Sequence, residues 1–267
     1  MAVKKFKYFV VSDIHGFYDE AIRDLNNASY DENNPKHKLL VLGDIFDRGP
    51  KSKEVYLWLK RLTDEGKCII LKGNHDSFLI NFLTNYDLLE NQFNFYNNGF
   101  RSTINSLLDN DKGIDSYFKR KDELNEKVSS KVKAFKAWNS LVMNDINKKY
   151  PELLSWISSF PYYYETKNYI FTHASIDCDV KDFKKPNISW DNLLWDDGGF
   201  FGKEINNTKK TVVVGHFSTN DIRRRYGVGD INDYSVLGRD DNKVIMIDGC
   251  TPVSGKVNVL IIEDWCK

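Results

Sequence analysis

Five short apolar runs, each closed by a polar residue, a glycine or a histidine, recur along the chain. They occupy residues 7–13, 38–44, 67–73, 168–173 and 210–216. Inside each run the apolar residues are continuous and do not alternate with polar ones, which is typical of strands covered on both faces. We therefore predict five buried strands.

Helical periodicity separates the first three of these runs. Phe17, Ala21 and Leu25 repeat every fourth residue. An apolar stripe with the spacing i, i+3, i+4, i+7 begins at Val55 and ends before Gly66, a residue that favours helix termination. This alternation of strand, helix and strand predicts a layered α/β core.

The middle of the chain, residues 77–160, has a different pattern. Residues 78–89 are apolar and predict a helix, and residues 132–146 carry a second helical stripe. Pro151 suits the first turn of another helix. Since the strand pattern resumes afterwards, we interpret residues 77–160 as a helical insertion or cap on a single domain that spans residues 1–267.

Two more apolar runs lie near the end of the chain, at residues 243–248 and 256–262. The stretch between them contains Pro252 and Gly255, which favour a turn. We predict that the two runs form a hairpin in a second sheet.

Composition narrows the class of protein. The 267 residues are 41% hydrophobic, as in globular proteins, and 38 basic residues balance 38 acidic ones. Zero net charge favours neither a nucleic acid nor an anionic membrane as partner. No window approaches the eighteen or so apolar residues of a membrane span, and the first apolar stretch is too short for a signal peptide. We expect a soluble cytoplasmic protein.

The cysteines and histidines differ in their placement. Four cysteines are scattered without paired spacing, which predicts reduced thiols and argues against a zinc ribbon. Four of the five histidines follow the predicted strands, and only His37 lies elsewhere, in a predicted loop. Strand ends of an α/β sheet open onto the crevice where ligands bind. The polar residues expected to meet there are Asp13, His15, Asp44, Asp47, Asn74, His75, Asp76, His173 and His216.

This set combines imidazole nitrogen with carboxylate and amide oxygen, and it contains no thiolate. Such ligands suit Mn²⁺, Fe or Zn²⁺ better than copper(I) or an iron–sulfur cluster. The ligands also outnumber those that one tetrahedral ion needs, so we predict two divalent ions bridged by a carboxylate. Mn²⁺ is the expected metal, with Fe and Zn²⁺ as alternatives. Taken singly, Asp13 or Asp47 would be interpreted as a helix cap or turn acid.

Ordered motifs make the pattern specific. They are Asp13-Ile-His-Gly16, Gly43-Asp-Ile-Phe-Asp-Arg-Gly49, Gly73-Asn-His-Asp76, Thr172-His-Ala174 and Gly215-His-Phe217. Together they resemble the phosphoprotein-phosphatase branch of the calcineurin-like metallophosphoesterases, whose bacterial and phage members include Ser/Thr protein phosphatases and diadenosine tetraphosphate hydrolases. The resemblance covers residues 8–101 and 168–250 and implies an αββα sandwich.

The resemblance implies a role for each matched residue. Asp13 and His15 would hold the first ion, Asp44 would bridge, and Asn74, His173 and His216 would hold the second. A hydroxide between the ions would be the nucleophile, attacking phosphorus directly.

Residues for proton transfer and phosphate binding complete the site that the resemblance implies. His75 would protonate the leaving group, with Asp47 orienting its ring. Arg48 would grip phosphate oxygens. Asn74 and Arg101 are further candidates for contact with substrate phosphate.

The chain also departs from the family pattern. Arg101 follows Gly99-Phe100, where bacterial relatives carry a second glycine, and the phosphate-binding arginine expected near Leu194-Trp195 is replaced by Asp196-Asp197. Lys203 is a candidate substitute, although a solvated loop lysine is the simpler interpretation. We interpret residues 223–225, three arginines, as a solvated helix face, and residues 248–250 as a backbone turn.

These observations predict a phosphatase that cleaves phosphate monoesters, with protein phosphoserine and phosphothreonine as leading substrates and phosphotyrosine as a further one. The alternative is a dinucleoside polyphosphate hydrolase, for which residues 77–160 would form the wall of a nucleotide site. A non-catalytic binding module would be expected to lack a ligand, and none of the six is missing. A nuclease would be expected to carry a basic track.

Overall fold

The computed structural model describes residues 4–84, 93–94, 96–109, 114–127, 131–176, 190–195, 206–241 and 243–266. Its strands are β1 (Lys5–Val11), β2 (His37–Val41), β3 (Cys68–Ile70), β4 (Tyr163–Glu165), β5 (Tyr169–Thr172), β6 (Thr211–Val214), β7 (Leu237–Arg239), β8 (Val244–Met246) and β9 (Leu260–Trp265). Its helices are α1 (Tyr18–Asn27), α2 (Ser52–Asp64), α3 (Asn74–Thr84), α4 (Phe100–Leu107), α5 (Ile114–Lys127), α6 (Lys131–Lys149), α7 (Leu153–Ser158), α8 (Trp190–Trp195), α9 (Thr219–Tyr226) and α10 (Thr251–Ser254).

The strands form two sheets. The first has the order β3-β2-β1-β9, in which β1, β2 and β3 are parallel and β9 runs antiparallel to β1. The second has the order β4-β5-β6-β8-β7, in which β5, β6 and β8 are parallel. All five strands predicted from the apolar runs are present, and their carboxyl ends lead into the polar motifs.

Alternate residues of β1 show how the layers stack. Phe9 and Val11 belong to a hydrophobic cluster that β1 shares with α1 and α2, whereas Tyr8 and Val10 pack in a different cluster with Phe171 of β5. The first cluster therefore lies between helices and sheet, and the second lies between the two sheets. A third cluster joins the other face of β6 to α8 and α9. The layers are helix, sheet, sheet and helix, as the αββα prediction requires.

Helices also occupy the described parts of the region between β3 and β4. Phe82 of α3, Phe100 of α4 and Trp138 of α6 are buried in the same cluster as Phe9. The amide of Asn139 donates to the Phe82 carbonyl at 3.3 Å. These helices thus extend the helical layer over the first sheet. The part of the predicted first helix beyond Thr84 lies outside the described residues.

The predicted terminal hairpin is wrong. Its first arm is β8 in the second sheet, but its second arm, β9, pairs with β1 in the first sheet. The intervening residues form the short helix α10, so the chain crosses between the sheets instead of reversing. A Pro and Gly turn signal marks an interruption of a strand, but it does not determine which sheet the next strand joins.

The structure also differs from the sequence-based prediction at β4, β7 and His37. Each of the two strands has only three residues, too few for an apolar run to stand out, and no residue of β4 is fully buried. His37 begins β2, although it was predicted in a loop. Within the described part of the chain, no helix has the length and apolar character needed to cross a membrane.

Candidate metal centre and active site

Loops that are far apart in sequence meet at the carboxyl ends of the central strands. The loops after β1, β2 and β3 bring Asp13, His15, Asp44 and Asn74, and each of these side chains is almost fully buried. His173 follows β5 and is buried, and His216 follows β6 and is partly exposed. The structure thus brings all six predicted metal ligands together.

Asp44 lies between two groups of potential ligands. Its Oδ2 is 3.7 Å from His15 Nε2, which is itself 3.9 Å from Asp13 Oδ1. Its Oδ1 is 3.4 Å from His173 Nε2. Ligand atoms of Asp44, His173 and His216 all lie within 4.8 Å of one another. Asp44 therefore occupies the bridging position between two clusters.

Hydrogen bonds fix the orientation of two of the imidazoles. His15 Nδ1 donates to the Phe46 carbonyl at 2.8 Å, and His173 Nδ1 donates to the Leu42 carbonyl at 2.7 Å. In the neutral rings, Nε2 then carries a lone pair directed at the site. Carbonyl partners of this kind are common around metal-bound histidines because they set the tautomer.

The buried donor set favours a positive charge at its centre. His173 Nε2 is 2.9 Å from Asn74 Oδ1, and His15 Nε2 faces two carboxylates. In a site that excludes water, the lone pair of each imidazole nitrogen would face a lone pair of an oxygen unless a proton or a cation lay between them. Although burial alone would lower the pKa of His173, the carboxylates of Asp44 and Asp13 raise it to about 10. A divalent cation satisfies the same requirement, so these residues fit one.

His216 offers a neutral ring to the same cluster. Burial and the neighbouring His173 ring lower the pKa of His216 to about 3. Neutral imidazole is the form that binds metals. Its backbone N–H donates to Asp13 Oδ2 at 2.9 Å, which links the ligands that follow β6 and β1.

Close backbone approach explains two glycines of the motifs. A Cβ on Gly73 would lie 2.1 Å from Asp44 Oδ1, and a Cβ on Gly215 would lie 1.8 Å from Ser12 Oγ. Real Cβ atoms do not approach this closely. Both glycines are therefore required by packing against the ligand carboxylates and their neighbours.

The site also concentrates backbone conformations that side chains rarely adopt. Six of its non-glycine residues have a positive φ between 48° and 74°. They are Asp13, His15, Asp44, Asp47, Arg48 and His216. Such conformations each cost about 1–3 kcal/mol and persist where the surrounding structure over-determines them. This concentration of strain is typical of a functional site.

His75 and Asp47 form a buried pair beside the two clusters. His75 Nδ1 is 2.7 Å from Asp47 Oδ2, and Asp47 Oδ1 accepts the hydroxyl of Thr103 at 2.7 Å. Burial alone would lower the pKa of His75, but Asp44 and Asp47 raise it. His75 Nε2 faces the Arg48 guanidinium at 3.2 Å. Both ring nitrogens are thus engaged outside the ligand clusters, although His75 also lies within 4.8 Å of the His15 and Asp44 ligand atoms.

Asp76 has a structural role. Its carboxylate accepts the backbone N–H groups of Gly73, Asp44 and Ile45 at 2.8, 3.0 and 3.1 Å. It therefore holds the loops after β2 and β3 together. From its position in the Gly-Asn-His-Asp motif, Asp76 was expected to lie among the candidate ligands. In the structure its carboxylate instead binds the backbone of the loops that carry them.

Sequence reasoning missed Ser12 and Thr103. The Ser12 hydroxyl donates to the Asp13 carboxylate, and Thr103 accepts the backbone N–H of Asp47 at 2.8 Å. Ser12 could have been found from its position beside a ligand. Thr103 could not, because it is 56 residues from Asp47 in the chain.

The other predicted basic residues lie in different surroundings. Arg48 and Arg101 are exposed and line one cavity beside the site. Arg223 is buried and pairs with Asp233 at 2.8 Å, so the solvated-face interpretation holds for Arg224 but not for Arg223. Asp248 accepts the backbone N–H of Cys250 at 2.7 Å. Lys203, Asp196 and Asp197 lie outside the described residues.

Comparison with known proteins identifies the family. The family model described as "Calcineurin-like phosphoesterase" matches residues 6–247. An asymmetrical bis(5'-nucleosyl)-tetraphosphatase of Bacillus velezensis is 37% identical over 82 residues, 28% of this chain and 33% of the relative. A symmetrical bis(5'-nucleosyl)-tetraphosphatase of Psychromonas ingrahamii is 39% identical over 72 residues, 27% of this chain and 25% of the relative. The chain thus matches only a quarter to a third of these relatives' length.

Solved structures share the fold at low sequence identity. A protein provisionally described as a diadenosine tetraphosphatase matches 98% of this chain and 94% of its own, with a TM-score of 0.56 and 16% identity. A cold-active protein-tyrosine phosphatase of a Shewanella species matches 96% of this chain and 75% of its own, with a TM-score of 0.55 and 18% identity. With a family model that covers most of its length, the chain belongs to the calcineurin-like phosphoesterase family.

Proposed function

We propose that this protein hydrolyses a P–O bond of a phosphoester or a phosphoanhydride at a two-metal centre. Asp13, His15 and Asp44 would hold one ion. Asn74, His173 and His216 would hold the other, and Asp44 would be shared by both. The observation that supports this division is the position of Asp44, whose two oxygens face different histidines at 3.7 and 3.4 Å. Two bound ions would supply an activated water and neutralise charge on the phosphoryl oxygens.

His75 would act as the general acid. With Nδ1–H donated to Asp47, the ring presents Nε2 toward the space beside the ligand clusters. Protonated Nε2 can pass its proton to the departing oxygen, and Asp47 stabilises the imidazolium that precedes this transfer. Thr103 fixes the Asp47 carboxylate, so the orientation of the pair is set before substrate binds.

Arg48 would bind substrate phosphate. Its guanidinium contacts His75 Nε2, the atom that would face the leaving oxygen. Because the guanidinium offers several N–H donors in a plane, it can turn from the imidazole to phosphate oxygens. Phosphate binding would then release Nε2 for proton transfer.

For the substrate, we infer a dinucleoside polyphosphate as the first candidate. The sequence relatives carry that activity in their names, although they match only part of the chain. Phosphoserine and phosphothreonine in proteins, the leading substrates predicted from the sequence, become the second candidate, since the motif pattern also resembles that of protein phosphatases. Assays of diadenosine tetraphosphate and a phosphoserine peptide in parallel would separate the two, because each candidate predicts a strong preference for its own substrate.

The roles of His75 can be tested by the substitution His75→Ala. We expect turnover to fall by about a hundred- to ten-thousand-fold, the usual contribution of a general acid. Mn²⁺ content should not change, because neither His75 nitrogen is assigned to a metal. His37→Ala is the matched control, as it removes a histidine remote from the site. Full activity of His75→Ala would overturn the assignment of the acid, and loss of Mn²⁺ would indicate that His75 is a ligand.

A further inference from the structure

A cavity of about 380 Å³ lies beside the candidate metal centre. Arg48, Arg101 and Lys121 contribute to its lining, and none of the described lining residues is acidic. Its volume is in the range of small-molecule binding sites. Three cationic side chains gathered around one cavity favour a ligand with several negative charges.

Arg48 connects this cavity to the proposed chemistry. Its guanidinium both lines the cavity and contacts His75 Nε2 at 3.2 Å. The two sites are therefore separated by a single side chain. A ligand whose scissile phosphate lay at the metal centre would place its neighbouring groups in the cavity.

The start of α4, the helix that carries Arg101, is fixed to the loop that carries Arg48. The backbone N–H of Arg48 donates to the Gly99 carbonyl at 3.2 Å. A Cβ on Gly99 would lie 2.7 Å from the Arg48 nitrogen, so the two backbones are in close contact. The fold thereby holds the backbones that carry Arg48 and Arg101 side by side. Two arginines on adjoining backbones suit a ligand with more than one phosphate.

An aromatic side chain borders the same cavity. Tyr96 is 58% exposed, and Lys121 Nζ lies 4.6 Å from the centre of its ring. An exposed ring next to cationic side chains can stack a nucleobase whose phosphates pair with those cations.

We propose that this cavity is a subsite for the phosphates beyond the scissile one and for the attached nucleoside, which selects nucleoside and dinucleoside polyphosphates as substrates. The proposal rests on the proposed function, because it assumes cleavage at the neighbouring metal centre. Arg48 would contact the phosphates nearest the reaction, and Arg101 and Lys121 would contact those further along. A phosphopeptide with acidic residues offers charge of the same sign but no base to stack on Tyr96.

The subsite can be tested with the double variant Arg101→Gln/Lys121→Gln. We measure kcat/KM for diadenosine tetraphosphate and for p-nitrophenyl phosphate, which has no further phosphate. The double variant should reduce the ratio of kcat/KM for diadenosine tetraphosphate to that for p-nitrophenyl phosphate at least tenfold, mainly by raising KM for diadenosine tetraphosphate. The reason is that each lost charge-assisted hydrogen bond weakens binding by about tenfold or more. Arg101→Lys/Lys121→Arg, which keeps the charges, should restore much of the ratio. Lys119→Gln, an exposed lysine of the same helix, should leave the ratio unchanged.

A binding measurement separates this proposal from the proposed function. Calorimetric titration of adenosine tetraphosphate into metal-free protein should show binding that the double variant weakens at least tenfold. Such binding in a wild-type protein that hydrolyses neither substrate would support the subsite and contradict the proposed function. An unchanged ratio, which includes an equal loss toward both substrates, would overturn the subsite.

Discussion

At the scale of single residues, the site depends on groups that only the fold brings together. Asp44 has one oxygen near each cluster, and this placement requires the backbone of Gly73 to pass within van der Waals contact of its carboxylate. The sequence identified the candidate ligands because each stands in a short motif after an apolar run. It did not identify Thr103, whose contact with Asp47 joins residues from distant helices and loops.

The substitution Gly73→Ala tests how closely Asp44 is positioned. The new Cβ would lie 2.1 Å from Asp44 Oδ1 and 2.3 Å from its backbone nitrogen, so the bridging carboxylate must move. Since a displacement of about 1 Å can cost a hundredfold in rate, we expect kcat/KM to fall at least about a hundredfold, with reduced Mn²⁺ binding. Gly238→Ala is the control, because nothing lies within 4 Å of its Cβ. Equal activity of the two variants would show that the position of Asp44 tolerates displacement.

At the scale of elements, strands were predictable and their partners were not. Continuous apolar runs identified β1, β2, β3, β5 and β6 because each is buried on both faces. The pairing of β9 with β1 in the first sheet was not predictable, since a local turn signal carries no information about a strand at the opposite end of the chain. The three-residue strands β4 and β7 gave no pattern at all.

Asp109 joins helices that are separate in sequence. It forms ion pairs with Lys53 of α2 and with Lys149 of α6, and these lysines lower the pKa of Asp109 to about 2. The side chain is 30% exposed, so solvent screens both pairs. We therefore expect Asp109→Asn to lower the free energy of unfolding at pH 7 by only about 1 kcal/mol or less. Asn is chosen because Asp109 has a φ of 59°, which Asn tolerates.

The contribution of Asp109 to the free energy of unfolding should decrease as the pH falls. Its pKa in the folded protein is below the unfolded value near 3.9, so the stabilisation is complete above about pH 4 and is lost as the pH falls through about 2. In urea unfolding, the difference between wild type and Asp109→Asn should therefore shrink between pH 4 and pH 2. Asp122→Asn, an exposed position of α5, serves as control. A difference that stayed constant to pH 2 would contradict the ion-pair account.

At the scale of the whole molecule, two sheets face each other and place the ends of their parallel strands at one edge. The first sheet supplies Asp13, His15, Asp44 and Asn74, and the second supplies His173 and His216. Neither sheet alone holds both ligand clusters. We propose that the chain is a single domain with residues 77–160 as a helical cap, since α3, α4 and α6 share a hydrophobic cluster with the first sheet. A single transition in the same urea experiment fits this proposal, and two separate transitions would oppose it.

The central claim is that loops of both sheets hold two cations around Asp44. Anomalous diffraction from crystals grown with Mn²⁺ tests it most directly. The account predicts two peaks, roughly 3.5–4 Å apart, on opposite sides of the Asp44 carboxylate, one near His15 and the other near His173 and His216. Absence of manganese at Asp44, or peaks confined to another part of the molecule, would contradict the account.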